Sequence, residues 1–376
     1  MKKITFAFFP LLLLGFIIPD TLNQSGSKSI VMTNAPYDGP YVLYKNDKVF
    51  IKNVFEENGV KTIKIDSVSM AEKAGLLLTV ATDESGKTFS VQLKNNLEAE
   101  KSEYKKVGKQ LIISDIEGNF GAFRKLLQSA GVIDTNYNWT FGDGHLVLTG
   151  DFFDRGDQVT EVLWLIYSLE GKAKVAGGYV HYVLGNHEIM NLSGDLRYLH
   201  PKYVQNAVLL NENYMGGLYG ENSEIGRWLR TKNIVEKVGH ILYMHGGISG
   251  EINNMDISLS KLNEIARPYY ADTTYKYNDP KLDIIYGDLG PFWYRGYYKA
   301  TTIASMGQID STLDKFDVKH IATGHTIVAD TITIWHNGKL INTDVHHAKG
   351  HSEALLLDDG KYYRIMMGGE KVLLMK

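Results

Sequence analysis

The chain has 376 residues, 44% of them apolar, with a formal net charge of −3 and no cysteine. That length accommodates one large α/β domain with a small appendage, and the slightly negative charge argues against a nucleic-acid partner, because phosphate backbones recruit basic surfaces. The lack of cysteine excludes a structural disulfide, a thiolate metal site and phosphatase chemistry through a cysteine nucleophile.

Lys2-Lys3 precede an almost wholly apolar run from Ile4 to Ile18. The run is short for a membrane span, which needs roughly 20 apolar residues. Residues 1–27 therefore read as a signal peptide. No small-x-small cleavage pattern follows at Phe16-Ile17-Ile18-Pro19-Asp20, and Ser25-Gly26-Ser27 lies well downstream, so an uncleaved N-terminal anchor is the alternative. Either way the expectation is an exported protein, periplasmic or membrane-anchored and facing outside the cytoplasm. Residues 20–40 are mostly polar, with Pro36 and Pro40, and read as a tether. From Tyr41 to about Leu97 the pattern has period two. Short strands are expected at Val49-Phe50-Ile51, Thr62 to Ile65, Leu76 to Val80 and Phe89-Ser90-Val91, with turn chemistry at Glu57-Asn58-Gly59 and Asp83-Glu84-Ser85-Gly86. Residues 28–107 thus read as the tether and a small β module. Gly86-Lys87-Thr88 resembles the end of a phosphate-binding P-loop, but position 81 is alanine and no helix pattern follows, so a hairpin turn is the better reading.

From Gly108 the texture changes. Leu111-Ile112-Ile113 is a short apolar strand, and Phe120, Phe123, Leu126, Leu127 and Ala130 recur at helical spacing until Gly131. Leu146-Val147-Leu148 leads into Gly150-Asp151-Phe152-Phe153-Asp154-Arg155-Gly156, followed by an apolar helix from Val159 to Leu169. Tyr179 to Leu184 leads into Gly185-Asn186-His187-Glu188, Ile241 to Met244 into His245-Gly246-Gly247, and His320-Ile321-Ala322 into Gly324-His325-Thr326. Potential ligands sit repeatedly at the carboxyl ends of strands, where open α/β sheets place their sites.

Asp115 and Glu117 could converge on one cation, or belong to a solvated loop or helix cap. Gly150-Asp151-x-x-Asp154-Arg155-Gly156 is more specific. An Asp–Arg turn pair would leave the second aspartate unexplained, whereas Asp151 can bridge two metals and Arg155 has the planar fork that suits phosphate oxygens. Asn186 offers an amide ligand, and His187 an acid with Asp154 as its orienting carboxylate. Glu188 could equally be opening a helix. His245 and His325 each border glycine, which allows close backbone approach. Arg295 stands in an aromatic run, Pro291 to Tyr298, which reads either as a core segment with a stacked cation or, preferably, as a pocket wall holding a second phosphate-gripping arginine. His145, His181, His200, His240, His320 and His336 have no such setting and read as structural or exposed. His346, His347 and His351 read equally as a weak metal tract or polar loop chemistry.

Asp-x-Glu, Gly-Asp-x-x-Asp-Arg-Gly, Gly-Asn-His-Glu, His-Gly-Gly and Gly-His, in that order, resemble the calcineurin-like metallophosphoesterase superfamily. The Asp-Arg-Gly and Asn-His-Glu pairings resemble its phosphoprotein phosphatase branch. Leu192 to Tyr198 and Gly290 to Gly296 resemble the Shewanella-like protein phosphatases within it. The resemblance covers roughly Gly108 to Leu357. It implies an α/β fold over 108–376, with a central β-sandwich flanked by helices in four layers (αββα). It implies two divalent metal ions (manganese, iron, magnesium or zinc, with manganese favoured) and a hydroxide shared between them that attacks phosphorus. Carried over by position, Asp115 and Glu117 belong to the first metal, Asp151 bridges, and Asn186, His245 and His325 bind the second. His187 is the general acid with Asp154 behind it, and Arg155 and Arg295 hold phosphate. The departure is Glu117, where the family usually has histidine. A glutamate biases that site toward hard cations or weakens it. The implied function is a metal-dependent phosphomonoesterase acting on a phosphorylated substrate, a phosphoprotein or a small phosphate ester. The alternatives are a nucleotide or diphosphate hydrolase, or a catalytically weak metal- and phosphate-binding surface protein.

Overall fold

Leu111, Ile112 and Ile113 are all buried, yet they point into different cores. Leu111 and Ile113 pack with Phe123, Leu126 and Leu127 of a helix, whereas Ile112 packs with Val147, Tyr243, Ala322 and Leu355 of other strands. The same alternation recurs at Leu146-Val147-Leu148 and at Ile241-Leu242-Tyr243-Met244. A strand buried on both faces reads as an unbroken apolar run, and side chains of alternate parity then serve opposite faces. Each such side chain contributes roughly 1.5–3 kcal/mol relative to leaving it in water. The result is two sheets face to face with helices outside both, the four layers expected.

The structure is a computed structural model and describes residues 36–299, 301 and 303–376. The expected targeting segment at 1–27 and most of the tether lie outside the described residues. No helix among the described residues is long and apolar enough to cross a membrane. An antiparallel three-stranded sheet comes first, from β1 (Asp38–Lys45), β2 (Lys48–Glu57) and β3 (Val60–Ser69), then a hairpin of β4 (Leu77–Ala81) and β5 (Thr88–Gln92). Gly86, with φ +73°, lies in the hairpin turn, so Gly86-Lys87-Thr88 is a turn. The sandwich strands are β6 (Glu103–Tyr104), β7 (Lys109–Ile113), β8 (His145–Thr149), β9 (Tyr179–Val183), β10 (Val235–Val238), β11 (Ile241–Met244), β12 (His320–Thr323), β13 (Thr333–Trp335), β14 (Leu340–Asn342), β15 (Glu353–Asp358), β16 (Lys361–Met366) and β17 (Lys371–Met375). They form two six-stranded sheets, in the orders β17-β16-β15-β7-β8-β9 and β13-β14-β12-β11-β10-β6. Strands β7, β8 and β9 run parallel in the first, and β11, β12 and β14 in the second.

Helix α1 (Phe120–Ser129) follows β7 and turns its apolar face to the sheet. Helix α2 (Val159–Val175) is buried without interruption from Val159 to Glu170. It packs on β9 on one side and on β1, β4 and β5 on the other. A helix apolar all round must be covered all round, and the N-terminal β module is the second cover. The indole of Trp164 donates to the Pro40 carbonyl across that contact, at 2.8 Å.

Residues 36–40 depart from the tether reading. Asp38 is fully buried, and its carboxylate accepts from Gly39 N (2.9 Å), Thr160 Oγ1 (2.9 Å), Tyr41 OH (2.8 Å) and Asn206 Nδ2 (2.7 Å). A buried carboxylate persists only with such a full set of donors, and two of them, Thr160 and Asn206, come from α2 and from α4 (Pro201–Leu209), far along the chain. The Gly-Pro composition disguised this.

Candidate active site

The carboxyl ends of β7, β8, β9, β11, β12 and β14 meet at one rim. Crosslinks between loops fix their depths. Asp115 N donates to Gly150 O at 3.0 Å, Glu117 N to Asp151 O at 3.0 Å, Gly324 N to His245 O at 2.9 Å and Thr343 N to Thr323 O at 2.8 Å. Asp115, Glu117, Asp151, Asp154, Arg155 and His325 all take positive φ, from 48° to 70°. Non-glycine residues reach the left-handed region only where the surroundings hold them there. The glycines of the motifs leave room for this. A Cβ at Gly324 would collide with the Asp115 carboxylate, and one at Gly185 with Asp151.

Helix α3 (Asn186–Ser193) begins at the end of β9, and its Glu188 is fully buried. Its carboxylate accepts from the backbone N–H of Gly185 (2.7 Å), Asp151 (2.9 Å) and Phe152 (2.7 Å) and from Tyr182 OH (2.9 Å). Glu188 thus opens the helix and also holds the Asp151 loop. The sequence pattern showed only the first task.

Asp151, Asn186, His245 and His325 come together. His245 Nε2 lies 3.0 Å from both Asp151 Oδ2 and Asn186 Oδ1. One ligand atom from each of Asp151, His245 and His325 lies within 4.8 Å of the others. His245 Nδ1 faces the Thr149 carbonyl at 2.8 Å, which turns Nε2 inward. His325 Nε2 faces the Trp293 carbonyl at 3.1 Å, which turns Nδ1 inward. Backbone carbonyls commonly orient metal-binding imidazoles in this way. Burial works against charge on His245, but the Asp151 carboxylate beside it and its hydrogen bond outweigh this and hold the imidazole up at about 9. Asp151 is itself buried, yet His245 and His187 hold its carboxyl well below the usual range. Positive charge therefore belongs at this point, and the oxygen and imidazole donors fit a divalent cation.

Asp115 lines the same cavity as Asp151, and its carboxylate accepts from His325 N at 3.2 Å. Burial, and then the Asp344 carboxylate, push Asp115 well above its ordinary value. Glu117 is turned to the Arg155 guanidinium and forms an ion pair with it. Burial raises the Glu117 carboxyl while Arg155 pulls it down. Glu117, Asp151 and His187 form a second close group of potential ligands.

His187 Nδ1 lies 2.5 Å from Asp154 Oδ2. Asp154 is fully buried, and its other oxygen accepts from Asn191 Nδ2 at 2.8 Å. Asn191 also binds the His187 carbonyl (2.8 Å) and accepts from Tyr214 OH (2.8 Å). Burial disfavours the charged imidazole, but Asp151, then the Asp154 hydrogen bond and charge, raise His187 to about 9. Its ring lies 5.2 Å from that of Tyr198, whose ring also carries the Arg155 guanidinium.

An open cavity of about 430 Å³ lies over this cluster, lined by Asp115, Glu117, Asp151, Asn186, His187 and His325 with both Arg155 and Arg295. Arg295 is anchored by donating to His325 O at 2.6 Å. All ten residues singled out from the sequence are therefore in one place, and His245, buried beneath, touches the cavity-lining Asp151. Asp344, Asn191 and the loop role of Glu188 were missed, whereas Tyr198, at the cavity wall, closes the stretch Leu192 to Tyr198 that carried the resemblance. Asp344 had a signal, since Leu340-Ile341-Asn342-Thr343-Asp344 is another apolar strand running into a carboxylate. His347 also lies at the cavity wall but turns inward, with Nε2 3.1 Å from Ser114 O and Nδ1 3.1 Å from Ser352 Oγ. His145 and His181 are buried in a chain ending on Glu236, with contacts of 2.8 and 2.7 Å.

Residues 108–329 match the family model described as calcineurin-like phosphoesterase. Among solved structures, the cold-active protein-tyrosine phosphatase of a psychrophilic Shewanella species is 34% identical with a TM-score of 0.80, covering 91% of this chain and 99% of that one. Among curated proteins, an uncharacterised protein of Schizosaccharomyces pombe is 30% identical over 57% of this chain and 65% of its own length. Shewanella-like protein phosphatase 1 of Plasmodium berghei is 29% identical over 58% of this chain and 61% of its own length. The chain thus spans less than two thirds of those two relatives. The expected fold and the resemblance to Shewanella-like phosphatases both hold, and with more than half its length matched, the chain belongs to the calcineurin-like phosphoesterase family.

Proposed function

We propose that this protein hydrolyses phosphate monoesters with two divalent cations, and that its substrates are phosphorylated proteins. The observation that carries this reading is the convergence, on one open cavity, of the Asp151–Asn186–His245–His325 donors, the His187–Asp154 pair and two arginines. The relatives named as protein phosphatases support the substrate class.

Asp151, Asn186, His245 and His325 would hold one cation, and Asp115, Asp151 and Glu117 the other. When bound, such a pair supplies Lewis acidity and brings a water's pKa toward neutrality. The remaining work belongs to the chain. Arg155 and Arg295, both at the cavity wall, would grip the phosphoryl oxygens, with guanidinium forks matched to tetrahedral oxygens. His187 keeps Nδ1 fastened to Asp154 and presents Nε2 to the cavity, so it can give a proton to the departing alkoxide oxygen. Held at about 9, it carries that proton at neutral pH. Asp154 keeps the imidazole in position and favours its charged form.

The acidic, oxygen-rich setting of the first cation favours manganese over zinc. The apolar segment at the N-terminus supports export, with residues 108–376 working outside the cytoplasm as a soluble or tethered enzyme. The test is turnover of para-nitrophenyl phosphate by the purified chain with added manganese, followed by a panel of phosphotyrosine, phosphoserine and phosphothreonine peptides, nucleotides and diphosphates. No turnover of any monoester by manganese-loaded protein would overturn the reading. Preference for diphosphates would overturn the substrate class.

A further inference from the structure

Within the two-cation reading, we propose that Asp344 is a ligand of the first cation, in the position left short by the engagement of Glu117 with Arg155. The first cation's side of the cluster is poor in free donors. Asp151 is shared, Asp115 already accepts the His325 N–H, and Glu117 gives an oxygen to the Arg155 guanidinium. A carboxylate neutralised by arginine is a weaker donor to a metal.

Asp344 borders the same cavity as the first cation's carboxylates. It is two residues past the end of β14, which runs parallel to β12, so it emerges at the same rim as His325. Its loop is clamped. Thr343 N and Oγ1 bind Thr323 O at 2.8 and 2.9 Å, and Thr343 Oγ1 meets Ser114 Oγ at 3.0 Å, directly beside Asp115. Asp344 is 3% exposed and lines the same cavity as Asp115, Glu117 and Asp151. Its carboxylate has no hydrogen-bond or ion-pair partner among the described residues, and it shares the cavity with the Asp115, Glu117 and Asp151 carboxylates as well as with Arg155 and Arg295. The charge that bears most on Asp115 is that of Asp344. A buried carboxylate facing other carboxylates without a donor is costly unless a cation occupies the gap. Arg155 and Arg295 face the same cavity, but neither reaches it as an ion pair. The donor set that results, Asp115, Asp151 and Asp344 with Glu117 behind them, is all oxygen, whereas the second site has two imidazoles. Hard cations are matched to the first site and softer ones to the second.

The test is manganese binding by the purified full chain, followed by calorimetry and by metal content after gel filtration, with thermal melting of the metal-free protein as an independent readout. Wild type is expected to bind two manganese ions. Asp344→Asn is expected to keep one and lose at least tenfold in affinity for the other, as with other disrupted metal shells. Because the substitution removes an uncompensated buried charge, the metal-free variant is expected to melt no lower than wild type, and added manganese should raise its melting temperature less. His245→Ala serves as the complementary loss, removing the other ion. An Asp344→Asn variant that binds two ions with unchanged affinity, or whose metal-free form melts well below wild type, overturns the assignment. A wild-type chain that binds fewer than two ions overturns the two-cation reading itself.

Discussion

The guanidinium of Arg155 closes on the carboxylate of Glu117, so a group suited to phosphate and a group suited to metal occupy each other in the same cavity. Arg155 remains half exposed on its other side. Phosphate must compete with Glu117 for it. In manganese-loaded protein, Glu117→Gln should therefore bind inorganic phosphate tighter by roughly two- to fivefold, the range of an exposed charge pair. Competitive inhibition by phosphate measures it, and weaker inhibition in the variant would show that Glu117 does not restrain Arg155.

The His187–Asp154 contact separates proton delivery from metal binding. His187→Ala should lower turnover by roughly 10²–10⁴, with metal content unchanged. Asp154→Asn, which keeps the imidazole but loses the carboxylate that orients it, should cost about 10- to 100-fold. Steady-state kinetics beside metal analysis distinguishes the two, and equal turnover in wild type and His187→Ala would remove His187 from the acid role.

Glu188 ties the start of α3 to the Asp151 loop through three backbone N–H groups and Tyr182. Glu188→Gln places an NH₂ group against those donors. Stability should fall by about 3 kcal/mol, the cost of losing charged, buried hydrogen bonds. Urea unfolding checks this, and an unchanged midpoint would contradict it.

A proton occupies His245 in the absence of a cation, since Asp151 holds its imidazole at about 9. Cation binding must release that proton below this pH. Apparent manganese affinity should climb as pH rises toward 9, by up to roughly tenfold per pH unit for each proton displaced. Calorimetry in buffers of different ionisation enthalpy counts the protons released at pH 7.5, and a count of zero would refute the assignment.

His347 is fully buried, and burial lowers its imidazole to about 4 against an ordinary 6.5. Above pH 6.5 both folded and unfolded chains hold it neutral. Between 6.5 and 4 only the unfolded chain takes up the proton, so stability falls with pH across that window, by about 3 kcal/mol from this group. His347→Gln should lose correspondingly less than wild type between pH 7 and 4.5 in denaturant unfolding.

The strand ends that were readable each combined an unbroken apolar run, a glycine and a chemically distinctive residue. Asp115, Asp151, Asn186, His245 and His325 stood out for that reason, and the fold then had few ways to arrange them. Asp344 follows a strand of three residues and is succeeded by Val345-His346-His347, which drew attention to histidines that face elsewhere. Glu188 and Asn191 act through partners brought in by tertiary contact, and no local spacing reveals such partners. Asp38 was hidden by its neighbours Gly39 and Pro40, whose composition suggests a linker while their packing makes a core.

The uninterrupted burial of α2 changes what counts as the catalytic unit. Trimming the chain to begin near residue 108, where the family match starts, would strip the module that shields Val159, Leu163, Trp164 and Tyr167, leaving a broad greasy face open to water. The amino-terminal strands are thus part of the family domain's own interior, and their inner face cannot be stripped without reopening it.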